Sequence, residues 1–335
     1  MKLTSFTRAG VAAAVALPFA VAALPASAAS LKASHQFPGG KGDARDEMVQ
    51  IIAREAKAAN VDLDIKVYPG ASLFKAKEQW NAMVKGQLDI TSFPLDYASG
   101  RHPSFGATLM PGLVKSHAHA QRLNNSDFMK DIKAEIDKGG AMVLADAWLA
   151  GAFGSKKNCI VKPDDVKGLK LRSAGATFAE MWKQAGASIV SMASNEVYNA
   201  LQTGVVDATD TSSGSFVSFR LYEQLKCLTA PGENALWFMY EPVLMSKRSF
   251  QNLNKAQQGA LMAASKKAEA FFADAAAGLD KKMVDAYKKA GVQVVELSDA
   301  DFEAWRTVAQ QSSYKSFSEK VKGGDALIKK ALAVK

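Results

Sequence analysis

Hydrophobic and polar positions along this chain follow two periods, and the two take turns. "LKASHQF" (31–37) alternates at period two and predicts a strand, closed by the turn cluster "PGGKGD". "ARDEMVQIIAREAKAAN" (44–60) sets Met48, Ile51, Ile52 and Ala56 at helical spacing, and "VDLDIKVYPG" returns to period two before a Pro-Gly turn. "EQWNAMVKGQLDITS" (78–92) then reads as a short helix, a glycine stop and a strand. Strand–helix–strand–helix–strand predicts parallel β-α-β units. The second half repeats the grammar with a short strand in "DDVKGLKLRSAG", a helix in "ATFAEMWKQAG", a strand in "ASIVSM" and another helix–glycine–strand in "NEVYNALQTGVVDATD" (195–210).

The two helix–glycine–strand stretches share Glu-x-aromatic-Asn-Ala-apolar-x-x-Gly-x-apolar-Asp-apolar-Thr. Gly86 and Gly204 fall where a helix C-cap needs positive φ. A single recurrence is too little for a solenoid but fits two lobes built alike. The expected fold is α/β, two-lobed, of the Venus-flytrap type. Lobe I spans 29–150, with parts of 237–335 returning to it, and lobe II spans 151–236. A long helix over 255–291 braces both, with Leu261, Phe271, Phe272 and Met283 available for burial. Ligands of open parallel sheets bind beyond the C-terminal strand edges, which points to "SFPLDY" (92–97) and "TDTSSGSF" (209–216) as facing parts of a cleft that closes on a hinge.

Residues 1–28 are set apart as a signal peptide. Lys2 and Arg8 precede the apolar run "VAAAVALPFAVAAL", and Ala26-Ser27-Ala28 offers a small-x-small cleavage site, so a periplasmic location is expected. Removing Lys2 and Arg8 lowers the formal charge from +9 to +7. That excess is diffuse, with no arginine-rich arm, so no nucleic-acid partner is expected. The mature chain is expected to be a monomer. Cys159 and Cys227 are the two cysteines, and either a bridge or two buried thiols fits an oxidising compartment.

Catalytic signals are poor. The four histidines (His35, His102, His117, His119) complete no zinc pattern, and no phosphate loop, dinucleotide fingerprint or nucleophile elbow occurs. The expectation is no enzyme, no cofactor and no metal. Arg172 in "GLKLRSAG" is the informative charge. A strand ends there beside the start of the next helix, and a guanidinium fork next to free backbone N–H groups is a natural carboxylate receptor. The plainer alternative is a surface arginine.

The block "GLKLRSAG…QAGASIVSMASNEVYNALQTGVVDATD" resembles the DctP-type solute-binding subunit of tripartite ATP-independent periplasmic (TRAP) transporters. "VYPGASLF", "GQLDITSF", "LMPGLVKSHAHA" and "VKPDDVKGLKLR" support the likeness. The resemblance implies a periplasmic protein that hands an organic anion to a sodium-driven permease, with Arg172 clamping the carboxylate. Phe153 stands where similar dicarboxylate and sialic acid binders often carry a second arginine. "DATDT" replaces the usual Asp-Gly-x-Glu-Asn, with Ala208 for glycine, Thr211 for the amide and Ser212 for proline. Ser191-Met192 replaces Pro-Met. These departures weaken a C4-dicarboxylate and favour a monocarboxylate with an apolar or aromatic part. Phe153, Phe93, Tyr97, Trp148 and Trp237 are the expected apolar wall, and Thr211, Ser212, Gln36 and Ser194 the expected polar contacts. An exported enzyme, a ligand sensor and an ATP-driven partner are the competing readings.

Overall fold

The computed structural model describes Met1, residues 28–233 and residues 235–335; the expected signal segment therefore lies almost wholly outside the described residues. The first lobe opens with β1 (Ala29–His35), α1 (Ala44–Ala58), β2 (Leu63–Tyr68), α2 (Gln79–Val84) and β3 (Ile90–Ser92). It continues with α3 (His117–Leu123), α4 (Asp127–Lys138) and β4 (Ala141–Ala145). The second lobe holds β5 (Trp148–Ser155), β6 (Lys170–Ser173), α5 (Ala176–Gln184), β7 (Ser188–Ser191), α6 (Val197–Gln202), β8 (Ala208–Ser212), α7 (Ser213–Ser218) and β9 (Cys227–Ala230). After β10 (Phe238–Tyr240) come β11 (Val243–Ser246), α8 (Lys247–Gln251), α9 (Lys255–Lys289), β12 (Gln293–Glu296), α10 (Asp299–Ala309), α11 (Lys315–Lys320) and α12 (Gly324–Leu332).

Two sheets result, ordered β2-β1-β3-β11-β4 and β12-β9-β5-β8-β6-β7, with β10 pairing the start of β5. Each contains a parallel trio, β2-β1-β3 and β7-β6-β8, extended by an antiparallel strand, β11 or β5. The recurring pattern is the α2–β3 step of one lobe and the α6–β8 step of the other. Gly86 and Gly204 take φ of 74° and 75°, where a side chain would be strained. The shared aspartates have a matching task. The Asp89 carboxylate accepts from Lys32 N at 2.7 Å, and the Asp207 carboxylate from Lys170 N at 3.1 Å. Their own amides return the bond to the carbonyls of Lys32 and Lys170. Each aspartate thus pins the start of its own strand, β3 or β8, to the central parallel strand, at Lys32 of β1 or Lys170 of β6.

The chain changes sheets at Asp146-Ala147 and at Glu241-Pro242, where Glu241 N donates to Ala147 O at 2.8 Å. The change precedes the boundary drawn at residue 150, because β5 belongs to the second sheet from Trp148 onward. α9 crosses as well. Its N-cap Asn254 and Gln257 form a capping box; Leu261, Ala264, Ala268, Phe272 and Ala276 pack in the first lobe's core, and Met283 and Tyr287 in the second's. Phe271, expected inside, is half-buried. The C-terminal segment crosses last. Phe302 and Trp305 of α10 sit in the second lobe, whereas Phe317, Leu327 and Ile328 sit in the first. A turn of π-helix, Gln310–Tyr314, lies between them.

Cys159 and Cys227 form a disulfide, with Cα atoms 5.1 Å apart across 68 residues of sequence. Closing a loop of that length stabilises by about 4 kcal/mol in the chain-entropy account. Among the described residues, no helix is long and apolar enough to cross a membrane.

Candidate functional site

β6 lies between β7 and β8, so its C-terminal end opens at the middle of the parallel trio. Arg172, the third of its four residues, is fully buried there. Its Nε and Nη2 donate to Met192 O at 3.1 and 2.9 Å, and Nη1 donates to Asp210 O at 2.6 Å. Nη2 also donates to the Tyr97 hydroxyl of the opposite lobe at 3.3 Å. The nearest carboxylate contact is looser, with Asp210 Oδ1 at 3.7 Å from Nη1. That carboxylate is engaged elsewhere, accepting from Ser173 Oγ, Ala174 N and Trp182 Nε1 at 2.8, 2.9 and 2.7 Å. Burial raises the Asp210 pKa and Arg172 opposes the rise. Most donors of the fork are thus met by main-chain carbonyls, which satisfy N–H groups but supply no full negative charge.

Three of the sequence candidates converge on the hydroxyl of a fourth, Tyr97. It accepts from Arg172, from Ser194 N at 3.0 Å and from Gln36 Nε2 at 3.4 Å. Tyr97 sits in a 3₁₀ turn, Leu95–Ala98, just past β3, so this contact joins the lobes. Phe93 stacks edge-on to Tyr97 with ring centres 5.9 Å apart, and is itself buried against Trp80. It supports the wall from behind. Lys77, which sequence reasoning passed over, donates to Ser191 Oγ across the lobes at 3.0 Å. Burial, and then the Arg172 charge, lower its pKa.

Around this junction several buried polar atoms have no hydrogen-bond partner among the described residues: Ser34 Oγ, Gln36 Oε1, Ser92 Oγ, both oxygens of Asp96 and, on the second lobe, Asn195 Oδ1. Ser34 and Ser92 lie at the C-terminal ends of the neighbouring strands β1 and β3. Buried polar groups are nearly always satisfied in folded proteins, so such a cluster makes this junction the candidate ligand site. Asp96 reaches the second lobe at Gly175, the N-cap of α5. A Cβ on Gly175 would lie 1.5 Å from Asp96 Oδ2, so glycine is required there. Burial pushes the Asp96 pKa up to about 7, with Lys77 opposing the rise and Asp210 adding to it.

Arg45 is the second buried arginine, and sequence reasoning missed it. It lies in the first turn of α1 and is 1% exposed. Asp43 holds it through Nε and Nη2 at 2.9 and 2.7 Å, and Nη1 donates to Glu241 Oε2, Ser212 Oγ and Ser215 Oγ at 3.0, 2.9 and 3.0 Å. The guanidinium carbon also lies 3.7 Å from the centre of the Phe37 ring. This one side chain ties α1 to the second lobe and, through Glu241, to the link between β10 and β11. The available signal was a cation in the first turn of a helix, where the helix dipole disfavours it unless anions compensate.

The remaining candidates do not come to Arg172, and the expected apolar wall needs correction. Phe153 packs against Trp182 at 4.8 Å and near Phe178 and Trp305, inside the second lobe's core. Trp237 lies in the same core over Gly151, where a Cβ would meet the indole at 2.2 Å. Trp148 donates to Asn124 Oδ1 at 2.8 Å and lines a separate cavity of about 260 Å³ with His117, Asp146 and Glu269. Both lobes bury large rings to build their cores, and these three serve that purpose. Ser212 is engaged by Arg45, not Arg172. Thr211 is buried in β8 opposite Ala152.

The model of the bacterial extracellular solute-binding proteins, family 7 (DctP), matches residues 46–320. A solute-binding protein of Albidiferax ferrireducens is 40% identical over 315 residues, 93% of each chain. The solved structure of a TRAP periplasmic solute-binding protein from Rhodoferax ferrireducens, with bound malonate, matches with a TM-score of 0.86 at 39% identity, covering 90% of this chain and 96% of that one. A Bordetella pertussis extracytoplasmic solute receptor binding pyroglutamic acid matches with a TM-score of 0.83 over 91% and 99% of the two chains; at 22% identity it speaks to the fold alone.

Proposed function

Because the chain belongs to the bacterial extracellular solute-binding proteins of family 7, we propose that it captures a small organic acid between its lobes, outside the cytoplasm, and delivers it to a TRAP membrane permease. Arg172 receives the carboxylate. The observation that carries this reading is a buried guanidinium bonded largely to carbonyls, within a ring of unpartnered polar atoms from both lobes. A ligand carboxylate brings the full charge that those carbonyls lack, and each charge-assisted bond to it contributes on the order of 1.5–3 kcal/mol.

Ligand entry requires the lobes to part, which breaks the Tyr97–Arg172, Tyr97–Ser194 and Lys77–Ser191 contacts together. The acid then docks on Arg172, and closure returns Tyr97 and Ser194 to it. Only a ligand that binds the closed form better than the open one shifts that balance. The side chains around Arg172 favour a compact, polar acid, with the Tyr97 ring as its aromatic face. The malonate bound by the Rhodoferax ferrireducens relative is of this size.

A thermal-shift screen of purified mature protein against small mono- and dicarboxylates tests the reading, followed by calorimetry on the best ligand. Arg172→Ala should weaken binding at least about a hundredfold, roughly 3 kcal/mol, with the far-ultraviolet spectrum unchanged. Full affinity in that variant would remove the receptor role.

A further inference from the structure

We propose that Asp96 selects the ligand's second polar group, favouring an acid that carries a hydroxyl or amide N–H beside the carboxylate held by Arg172. The inference rests on the solute-binding reading above. Asp96 is 2% exposed, and neither of its oxygens has a hydrogen-bond partner among the described residues. It belongs to the first lobe yet lies against Gly175, three residues beyond Arg172, at the start of a nine-residue helix that has no side-chain cap. A second-lobe glycine thus makes room for a first-lobe carboxyl at the junction where the carboxylate receptor ends. A carboxyl so placed and so unpaired suits a ligand atom.

Its neighbours restrict what that atom is. Asp210 faces it from β8 but has its oxygens committed to Ser173, Ala174 and Trp182. Lys77 faces it from the 3₁₀ turn Ala76–Glu78, and is itself influenced by Arg172 of β6 and by Glu196. The Ser99 side chain, at the end of its own turn, lies outside good hydrogen-bond geometry but still favours the ionised form as a donor. Ionised, Asp96 accepts hydrogen bonds only; protonated, it also donates one. A ligand hydroxyl or amide N–H therefore pairs with the ionised form. A second ligand carboxylate pairs with the protonated form and takes up a proton on binding. Because burial holds this group near 7, the two ligand classes respond to pH in opposite directions. Dicarboxylate affinity falls as pH rises above that value, and affinity for the donor-bearing acid falls as pH drops below it, each by up to about tenfold per unit.

The test is calorimetry of the mature protein, Asp96→Asn and Arg172→Ala, with glycolate and pyroglutamate as donor-bearing probes and malonate and succinate as dicarboxylates, at pH 6, 7 and 8. In the wild type the ratio of donor-bearing to dicarboxylate affinity should rise more than about tenfold from pH 6 to pH 8. In Asp96→Asn, which keeps the shape and removes the titration, it should be flat. A flat ratio in the wild type, or the wild-type slope surviving in Asp96→Asn, overturns the Asp96 assignment while loss of binding in Arg172→Ala leaves the receptor standing. Failure of every probe with the wild type, or undiminished binding in Arg172→Ala, overturns instead the reading on which it rests.

Discussion

The two lobes share a frame and differ at the strand ends. Asp89 pins Lys32 in one, and Asp207 pins Lys170 in the other, so the two central strands can be counted from the same point. Two residues on, β1 carries Ser34 and β6 carries Arg172. Three residues past each aspartate, the first lobe has Ser92 and the second Asp210. One lobe therefore presents a pair of hydroxyls, both unpartnered, where the other presents a buried cation with an anion 3.7 Å away. The frame fixes where side chains emerge, and the residue chosen at each position assigns the chemistry. The first lobe has a buried cation too, but Arg45 comes from the start of α1 and is surrounded by Asp43 and Glu241. Two carboxylates bond directly to Arg45, whereas Arg172 bonds to carbonyls and a phenol and has its nearest carboxylate at 3.7 Å. The first arrangement is a lock, and the second suits the receptor proposed above.

Removing Arg45 should have the largest effect on folding. Arg45→Met leaves Asp43 and Glu241 buried beside each other without their cation, and breaking a buried pair in this way costs about 3–5 kcal/mol. The expected readout is a melting temperature lower by several degrees at neutral pH. Burial already raises the Glu241 pKa despite Arg45, so loss of the cation raises it further. The folded state then binds more protons than the unfolded state between the two pKa values, and the deficit should shrink as pH falls. A wild-type melting curve for the variant would erase the distinction between the lock and the receptor.

Arg172→Lys sharpens the same contrast from the other side. Lysine keeps the charge but cannot reproduce the planar fork that reaches Met192 O, Asp210 O and the ligand together. Affinity should fall by roughly tenfold or more, and less than for alanine. Equal affinity in the lysine variant would reduce Arg172 to a point charge.

The frame was legible in the sequence because helix-period and strand-period stretches alternate, and because Gly86 and Gly204 mark the same turn twice. The position of Arg172 was legible because "GLKLRSAG" reads as a strand that ends just before the next helix. Tyr97 follows from the strand-edge rule, which names the segment 92–97 after β3, whereas Gln36 and Ser194 were expected only as polar contacts. The aromatic wall was misread for a physical reason. Phe153, Trp148 and Trp237 lie in or beside the strands that change sheets, and period-two alternation cannot say which face of such a strand looks into a core and which into a cleft. Asp96 and Arg45 escaped notice because each depends on contacts between distant segments, with Gly175 in one case and with Ser212, Ser215 and Glu241 in the other.

The smallest effects should separate the two pinning aspartates. Asp89 accepts from Lys32 N and from Ser249 Oγ at 2.5 Å, two short-range donors that leave it little freedom. Asp207 accepts from Lys170 N and has Lys157 Nζ at 3.3 Å, a partner that is 59% exposed and so screened by solvent. Asn can keep one acceptor oxygen at each site, so neither substitution should exceed about 1–2 kcal/mol, and Asp89→Asn should cost more than Asp207→Asn. Urea unfolding of the two variants measures the difference. The second-lobe variant carries a further expectation, since β8 continues from Asp207 through Asp210. Loosening its start should weaken ligand binding by a few-fold, while the first-lobe variant loses stability with less change in affinity. If Asp207→Asn proved the more destabilising, the two lobes would not be equivalent frames, and counting Arg172 against Ser34 would lose its basis.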